Sequence, residues 1–194
     1  GGLLGQALAG SVPRQDQASR SLSAVTWLLH AETSGFPLHH HNVFFSDDYR
    51  GEFDDLFGAG RLPRTPTVYV CAQDRGDDAR APTGPERLLC LVNAPPTGDT
   101  QPFPPAEIES CGQRAFGLLE HCGLSVRGSP ERTQVATPRE FAALFPATGG
   151  ALYGQASHGW RASFARPGVR TRIPGLYLAG GSVHPGAGVP MAAL

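Results

Sequence analysis

The residues best suited to chemistry in this 194-residue sequence lie in a glycine-rich bend near its end. The apolar run at residues 176–179 predicts a short strand buried on both faces, as in a parallel sheet. A helix is expected to begin at Pro190, because proline suits a first helical position and residues 191–194 are good helix formers. The candidate binding residues belong to the loop and the first helical turn: Gly180, Gly181, Ser182, His184, Gly188, Val189, Pro190 and Met191.

The chemistry of such a bend is the binding of an anion or an electron-rich heterocycle. A helix N-terminus offers unpaired N–H groups and a positive dipole end, and glycine lets a ligand approach the backbone closely. The spacing matches neither G-x-G-x-x-G nor a phosphate loop that ends in Gly-Lys-Ser. By pattern alone, a tight turn followed by a helix cap explains the glycines equally well.

The elements that must position this bend are predicted from hydrophobic patterning. Strands are expected at residues 22–29, 42–45, 67–73, 87–93 and 131–136. An N-cap at Ser46 or Asp47 predicts a helix with an apolar face, formed by Tyr49, Phe53, Leu56 and Phe57. An apolar stripe predicts a second helix from Ile108 to Cys122, and a capping box at residues 137–140 opens a third. Strands and helices mixed without strict alternation predict an α+β layer.

Composition excludes some classes of function. The formal net charge of −1 gives no global attraction to nucleic acid or anionic membranes. The four cysteines form no C-x-x-C motif, which favours a reduced cytosolic compartment. No secretory signal and no apolar run of about 18 residues is present, so no spanning helix is predicted.

Two other motifs suggest chemistry but have plainer explanations. Consecutive histidines at residues 39–41 suggest a metal, yet neighbours on a strand point to opposite faces and no nearby cysteine has zinc spacing. No metal site is therefore predicted. Residues 155–159 are similar to a nucleophile elbow, but Gln155 stands where the turn needs glycine. A serine hydrolase is thus the runner-up enzyme class.

Two clusters of charged residues also have more than one possible role. The carboxylates at residues 47–55 are predicted to be a helix cap and a solvated face. A basic loop could contact a cofactor pyrophosphate or lipid head groups, or be a solvated linker; it contains Arg161, Arg166, Arg170 and Arg172.

The bend resembles the C-terminal signature of the phytoene desaturase family of flavin-dependent carotenoid desaturases. In that family a Leu-Tyr-Leu strand leads into His-Pro-Gly-x-Gly-Val/Ile-Pro. The sequence of residues 179–191 is similar in particular to that of the hydroxycarotenoid 3,4-desaturases, also called methoxyneurosporene dehydrogenases. Residues 40–50, 64–70 and 149–154 also match the family's pattern, in its order.

The resemblance implies an FAD enzyme in which the bend closes the flavin site, mostly through backbone groups. Residues 1–160 would be part of the carotenoid substrate-binding domain, with an antiparallel-rich sheet and helices on one face. Residues 161–194 would return to a Rossmann-like FAD-binding domain whose N-terminal G-x-G-x-x-G half is absent from this sequence. His184 would order the loop and line the flavin site.

The implied reaction desaturates an acyclic hydroxy- or methoxy-carotenoid, with hydride passing to flavin and a proton lost. Because carotenoids dissolve in bilayers, a cytoplasmic enzyme in peripheral contact with the inner membrane is expected. This chain alone, as the C-terminal part of the enzyme, is expected to be inactive. A carotenoid isomerase or saturase, and a non-catalytic module that binds a hydrophobic ligand, remain alternatives.

Overall fold

The computed structural model describes residues 10–11, 16–76, 80, 82–156, 166–184, 186 and 188. Five strands form one antiparallel sheet in the order β2-β3-β4-β1-β5. Their bounds are β1 (Ser23–Gly35), β2 (His41–Phe44), β3 (Val68–Ala72), β4 (Glu86–Ala94) and β5 (Leu124–Ala136). The predicted antiparallel-rich sheet is confirmed.

Strand β5 begins well before the predicted run at residues 131–136. Gly128 and Pro130 interrupt the strand pattern of the sequence there, since both residue types are depleted in strands. In the structure Gly128 pairs with Ala31, next to a register shift between Leu29 and Ala31 of β1. Such a bulge accommodates glycine within a strand.

The helices follow their local signals closely. They are α1 (Tyr49–Phe53), which continues into a π-helical turn (Asp54–Gly58), α2 (Pro105–His121) and α3 (Pro138–Leu144). The N-cap of α1 is Asp48, one residue after the predicted position, and its side chain accepts a hydrogen bond from the Gly51 N–H at 2.9 Å. The predicted capping box of α3 is present between Thr137 and Glu140.

The two faces of the sheet have different surroundings. One face packs against α2, where Trp27, Leu88 and Val92 join Ala115 and Leu119 in the hydrophobic core. The alternate residues of the strands point to the other side. We call these side chains the open face, because they are partly or largely exposed; they are Leu28, Val43, Tyr69, Leu89 and Leu91.

The carboxylates of the first helix were predicted to lie on a solvated face, but two of them are buried. Glu52 is fully buried, and it accepts hydrogen bonds from the Thr67 N–H at 3.0 Å and from the Asn93 side chain at 3.2 Å. Asp55 is 2 % exposed and binds Arg61 and Arg64. These two carboxylates were mispredicted because their partners come from other segments of the chain.

The predicted apolar face of this helix is also only partly correct. Leu56 is buried, but the aromatic side chains form a stack on the surface with ring centroids 5.0 to 6.0 Å apart. We call this stack the aromatic ladder; it consists of Phe45, Tyr49, Phe53 and Phe57.

Residues 176–179 do not form the predicted strand buried on both faces. They form one isolated antiparallel bridge, between Arg170 and Tyr177, and the Tyr177 side chain is 65 % exposed. The Leu178 N–H donates to the Val169 carbonyl at 2.8 Å. The segment therefore folds back on residues 169–171, and no parallel neighbour for it is present in the described ranges.

None of the helices in those ranges has the length and apolarity needed to cross a bilayer. The four cysteines are unpaired.

Candidate functional site

The predicted bend is a compact turn with an exposed outer side. The Val183 N–H donates to the Gly180 carbonyl at 3.1 Å, and the His184 N–H donates to the Pro167 carbonyl at 2.9 Å. Val183 is buried beneath the turn, whereas Ser182 and His184 are exposed. Gly180 has φ of 124°, a backbone conformation that residues with a side chain rarely adopt.

Two backbone amides of the bend have no acceptor among the described residues. These are the N–H groups of Gly181 and Ser182. A Cβ atom placed on Gly180 would meet no other atom within 4 Å.

Arg166 holds the bend through hydrogen bonds to backbone carbonyl oxygens. Its guanidinium donates to the carbonyl oxygens of Gly181 at 2.9 Å, Tyr153 at 3.1 Å and Gln155 at 3.4 Å. Because these donors point at the chain's own backbone, Arg166 is a structural clamp, which differs from both predicted roles of the basic loop. Arg170 and Arg172 are exposed, as a solvated linker requires.

The bend is fixed to the sheet through residues 153–155. Gly154 is so close to Ser182 that an added Cβ would lie 2.5 Å from the Ser182 Oγ atom. The Tyr153 N–H donates to the Ser21 Oγ atom at 2.9 Å, and the Ser21 N–H donates to the Gly154 carbonyl at 2.8 Å. Ser21 lies two residues before the start of β1, so the bend is tied to the sheet by short contacts.

Gly149 and Gly150 are both buried. A Cβ on Gly149 would lie 2.1 Å from a guanidinium nitrogen of Arg20, and a Cβ on Gly150 would lie 2.4 Å from the Pro138 carbonyl oxygen. Arg20 forms a bidentate ion pair with Asp99, at 2.8 and 2.7 Å, which lowers the pKa of Asp99. Arg20 thus braces the segment at Gly149, and sequence reasoning missed this residue because Asp99 is 79 positions away.

Tyr69 of the open face is a partly buried phenol beside Cys71. Burial raises the pKa of Tyr69, and its hydrogen bond to Cys71 and the phenol of Tyr153 raise it further. Tyr153 directly precedes Gly154, the residue in contact with Ser182.

Several predicted residues lie outside the described ranges. They include the first helical turn of the candidate site, the serine of the elbow-like segment and one arginine of the basic loop, namely Val189, Pro190, Met191, Ser157 and Arg161. Gly188 is described, is exposed and has φ of 117°.

A separate groove of about 750 Å³ lies on the other side of the sheet, between α2, β5 and α3. It is lined mainly by apolar side chains, among them Trp27, Phe103, Ile108, Phe116 and Val135. Sequence reasoning did not predict this groove, because its walls come from three separate elements.

Comparison with known proteins shows which proteins this chain is similar to. The chain is 58% identical to a hydroxyneurosporene desaturase of Rubrivivax gelatinosus, over 98% of this chain and 37% of that protein. It is 47% identical to a hydroxyneurosporene desaturase of Cereibacter sphaeroides, over 100% of this chain and 38% of that protein. A 1-hydroxycarotenoid 3,4-desaturase of a Flavobacterium species is 32% identical over 90% of this chain and 36% of that protein. No family model matches the chain.

The chain is therefore related over its whole length to the carotenoid desaturases, as its motifs indicate. Among them, its high-identity relatives are hydroxyneurosporene desaturases, and it spans well under half of their length.

Proposed function

We propose that this chain is the C-terminal part of an FAD-dependent oxidoreductase that desaturates an acyclic hydroxy- or methoxy-carotenoid. The observation that carries the proposal is the bend, whose Gly181 and Ser182 amides have no acceptor among the described residues, in a chain closely similar to hydroxyneurosporene desaturases. When bound, FAD would supply the hydride acceptor for a reaction that the protein side chains cannot perform alone.

The residues of this chain would position the cofactor and exclude water. These amides of the bend would donate to electron-rich atoms of the flavin ring, and Arg166 would keep the bend in shape. Ser182, His184 and Gly188 would line the same surface, as would the undescribed residues Val189, Pro190 and Met191. Residues 161–194 would belong with a Rossmann-like FAD-binding domain.

The open face would form one wall of the carotenoid site, within the substrate-binding domain at residues 1–160. Its exposed apolar side chains, such as Val43 and Leu28 at 49% and 39% exposure, suit a polyene that has no hydrogen-bonding groups along its length. Tyr69 and Tyr153 would bring this wall next to the bend. The remainder of the enzyme would complete the site.

Peripheral contact with the inner membrane is a further part of the proposal, for an enzyme whose chain lies in the cytoplasm. The aromatic ladder supports it, because Phe45, Tyr49 and Phe57 are each about half exposed or more. Exposed aromatic clusters of this kind mark protein or membrane contacts. The substrate would then enter from the bilayer.

The test is to purify the complete enzyme and supply 1-hydroxyneurosporene-type carotenoids. We expect a yellow protein that absorbs at roughly 450 nm, and a product with one more conjugated double bond. A product of unchanged oxidation level would indicate a carotenoid isomerase instead, and a shorter chromophore would indicate a saturase.

A non-catalytic module that binds a hydrophobic ligand is the second candidate. The groove of about 750 Å³ between α2, β5 and α3 favours it, since its volume and apolar lining are typical of ligand pockets. A colourless protein that still binds carotenoid would support this candidate against the desaturase.

A further inference from the structure

Three side chains with metal-binding donor atoms meet where β2 and β3 pair. His41 lies directly opposite Cys71 across the two strands, and His40 immediately precedes β2. One donor atom of each residue lies within 4.8 Å of the donor atoms of the other two. Histidine nitrogen and cysteine sulfur are the ligands that zinc most often has in proteins.

His40 reaches this cluster because it lies outside the strand. The prediction of no metal site assumed that residues 39–41 alternate along one strand, but β2 begins only at His41. The rings of His40 and His41 are therefore neighbours, with centroids 4.4 Å apart. The sulfur ligand comes from a position 31 residues beyond His40, so no zinc spacing is visible in the sequence.

The backbone fixes the tautomer of His40. Its Nδ1 atom lies 2.7 Å from the Arg75 carbonyl oxygen, and because a carbonyl only accepts, Nδ1 must carry the proton. Nε2 keeps its lone pair and lies 3.6 Å from the Cys71 Sγ atom. A tetrahedral zinc ion bound to one histidine and one cysteine holds these two atoms about 3.6 Å apart, given the usual bond lengths.

Neighbouring groups hold the candidate ligands in place. Arg75 is buried, pairs with Glu86 at 2.7 Å and donates to the Leu38 carbonyl at 2.9 Å, which fixes the carbonyl that His40 contacts. The Nδ1 atom of His41 lies 2.7 Å from the Tyr69 hydroxyl, which orients the His41 ring. Such outer partners orient the ligands of natural zinc sites.

We infer that His40, His41 and Cys71 bind one Zn²⁺ ion, with the fourth position occupied by water. Cys71 would bind as the thiolate and release its proton to solvent. The ion would link β2, at the edge of the sheet, to β3. This site uses no residue of the bend, although its outer partner Tyr69 belongs to the open face.

The test is a titration of the complete, metal-free protein with Co²⁺ and then Zn²⁺. We expect one Co²⁺ per chain, with a sulfur-to-cobalt charge-transfer band that appears in the difference spectrum and disappears as Zn²⁺ displaces Co²⁺. Absence of that band at saturating Co²⁺ would overturn the inference without any substitution.

Variants assign the ligands. Cys71→Ser and His40→Gln are expected to remove tight Zn²⁺ binding, measured by competition with a chromophoric chelator. Tyr69→Phe is expected to weaken binding about tenfold, because it removes an outer partner of His41. His39→Gln, at an exposed neighbour, and Cys122→Ser, at another thiol, are the matched controls. Equal Zn²⁺ affinity in Cys71→Ser and the unaltered protein would contradict the site.

Discussion

Gly154 and Ser182 are in direct contact: a Cβ atom on Gly154 would lie 2.5 Å from the Ser182 Oγ atom and 2.8 Å from its Cβ atom. Gly154 also has φ of 68°, in the left-handed region that favours glycine. The Tyr153–Gly154 segment is hydrogen-bonded to Ser21, close to the start of the sheet. The contact thus joins the bend to the rigid part of the fold.

Gly154→Ala is predicted to displace the bend and weaken flavin binding. The added methyl group would clash with Ser182, and the positive φ would strain the backbone. We expect FAD to bind at least about tenfold more weakly to the complete enzyme, a loss of about 1.4 kcal/mol, measured by flavin fluorescence on dilution. Gly168→Ala is the matched control, because nothing lies within 4 Å of its Cβ position. Equal FAD affinity in both variants would contradict the proposed coupling.

Arg166→Ala is predicted to loosen the same bend from the other side. Three carbonyl oxygens, those of Tyr153, Gln155 and Gly181, would lose a charged donor, at about 2 kcal/mol for a hydrogen bond to a charged group. We expect faster proteolysis around residues 180–188 and faster loss of FAD. The exposed Arg170→Ala should change neither. If Arg166→Ala kept its FAD and its protease resistance, the clamp would be refuted.

The strands and the clearest helix could be predicted from sequence because their signals are local. A continuous apolar run at residues 88–92 predicts β4, and the stripe with Gly123 after it predicts α2 and its end. The burial of Asp55 could not be predicted in this way, since nothing in the helical pattern shows that Arg61 and Arg64 will fold over it.

In the candidate site, too, the local features could be predicted from the sequence and the tertiary contacts could not. Its glycines and exposed polar residues are visible in the sequence, but the clamp by Arg166 and the brace between Arg20 and Asp99 depend on tertiary contacts. Residues 176–179 were mispredicted because a short apolar run between glycines does not specify its partner. In this structure the partner is residues 169–171, which run antiparallel.

The buried carboxylate of Asp55 makes the free energy of unfolding depend on pH in the acid range. Burial tends to raise its pKa, but hydrogen bonds from the Arg64 N–H and from the Arg61 and Arg64 side chains outweigh this and lower the pKa to about 2. A lowered folded-state pKa contributes stability that is complete above the unfolded value, about 3.9, and is lost as pH falls towards 2. Asp55→Asn is therefore expected to be less stable than the unaltered protein at pH 6, with a difference that shrinks at pH 3.

Urea unfolding of the two proteins at both pH values measures this difference. The exposed Asp54→Asn is the control and should change stability little at either pH. A gap between Asp55→Asn and the unaltered protein that stays constant from pH 6 to pH 3 would show that Asp55 does not act through its charge.

The aromatic ladder is predicted to contact lipid. Phe57→Ser should lower partitioning of the complete enzyme into phosphatidylcholine vesicles roughly tenfold, the effect of withdrawing most of one phenylalanine side chain from an apolar phase. Added anionic lipid should increase binding little, because exposed Asp47, Asp48 and Asp54 flank the ladder. Phe145→Ser, at an aromatic residue elsewhere that is more exposed than Phe57, is the control. Equal partitioning of both variants in a vesicle flotation assay would refute the contact.

The central claim, that the bend contacts the flavin through its backbone, is tested most directly by Gly188→Val. Gly188 is exposed and has φ of 117°, so a branched side chain would strain the backbone there and add bulk to the surface of the loop. The measurement is the ratio of FAD to protein in the purified complete enzyme, with Gly168→Val as control and thermal unfolding to confirm the fold. We predict near-complete loss of FAD in Gly188→Val alone; a full complement of FAD in that variant would contradict the account.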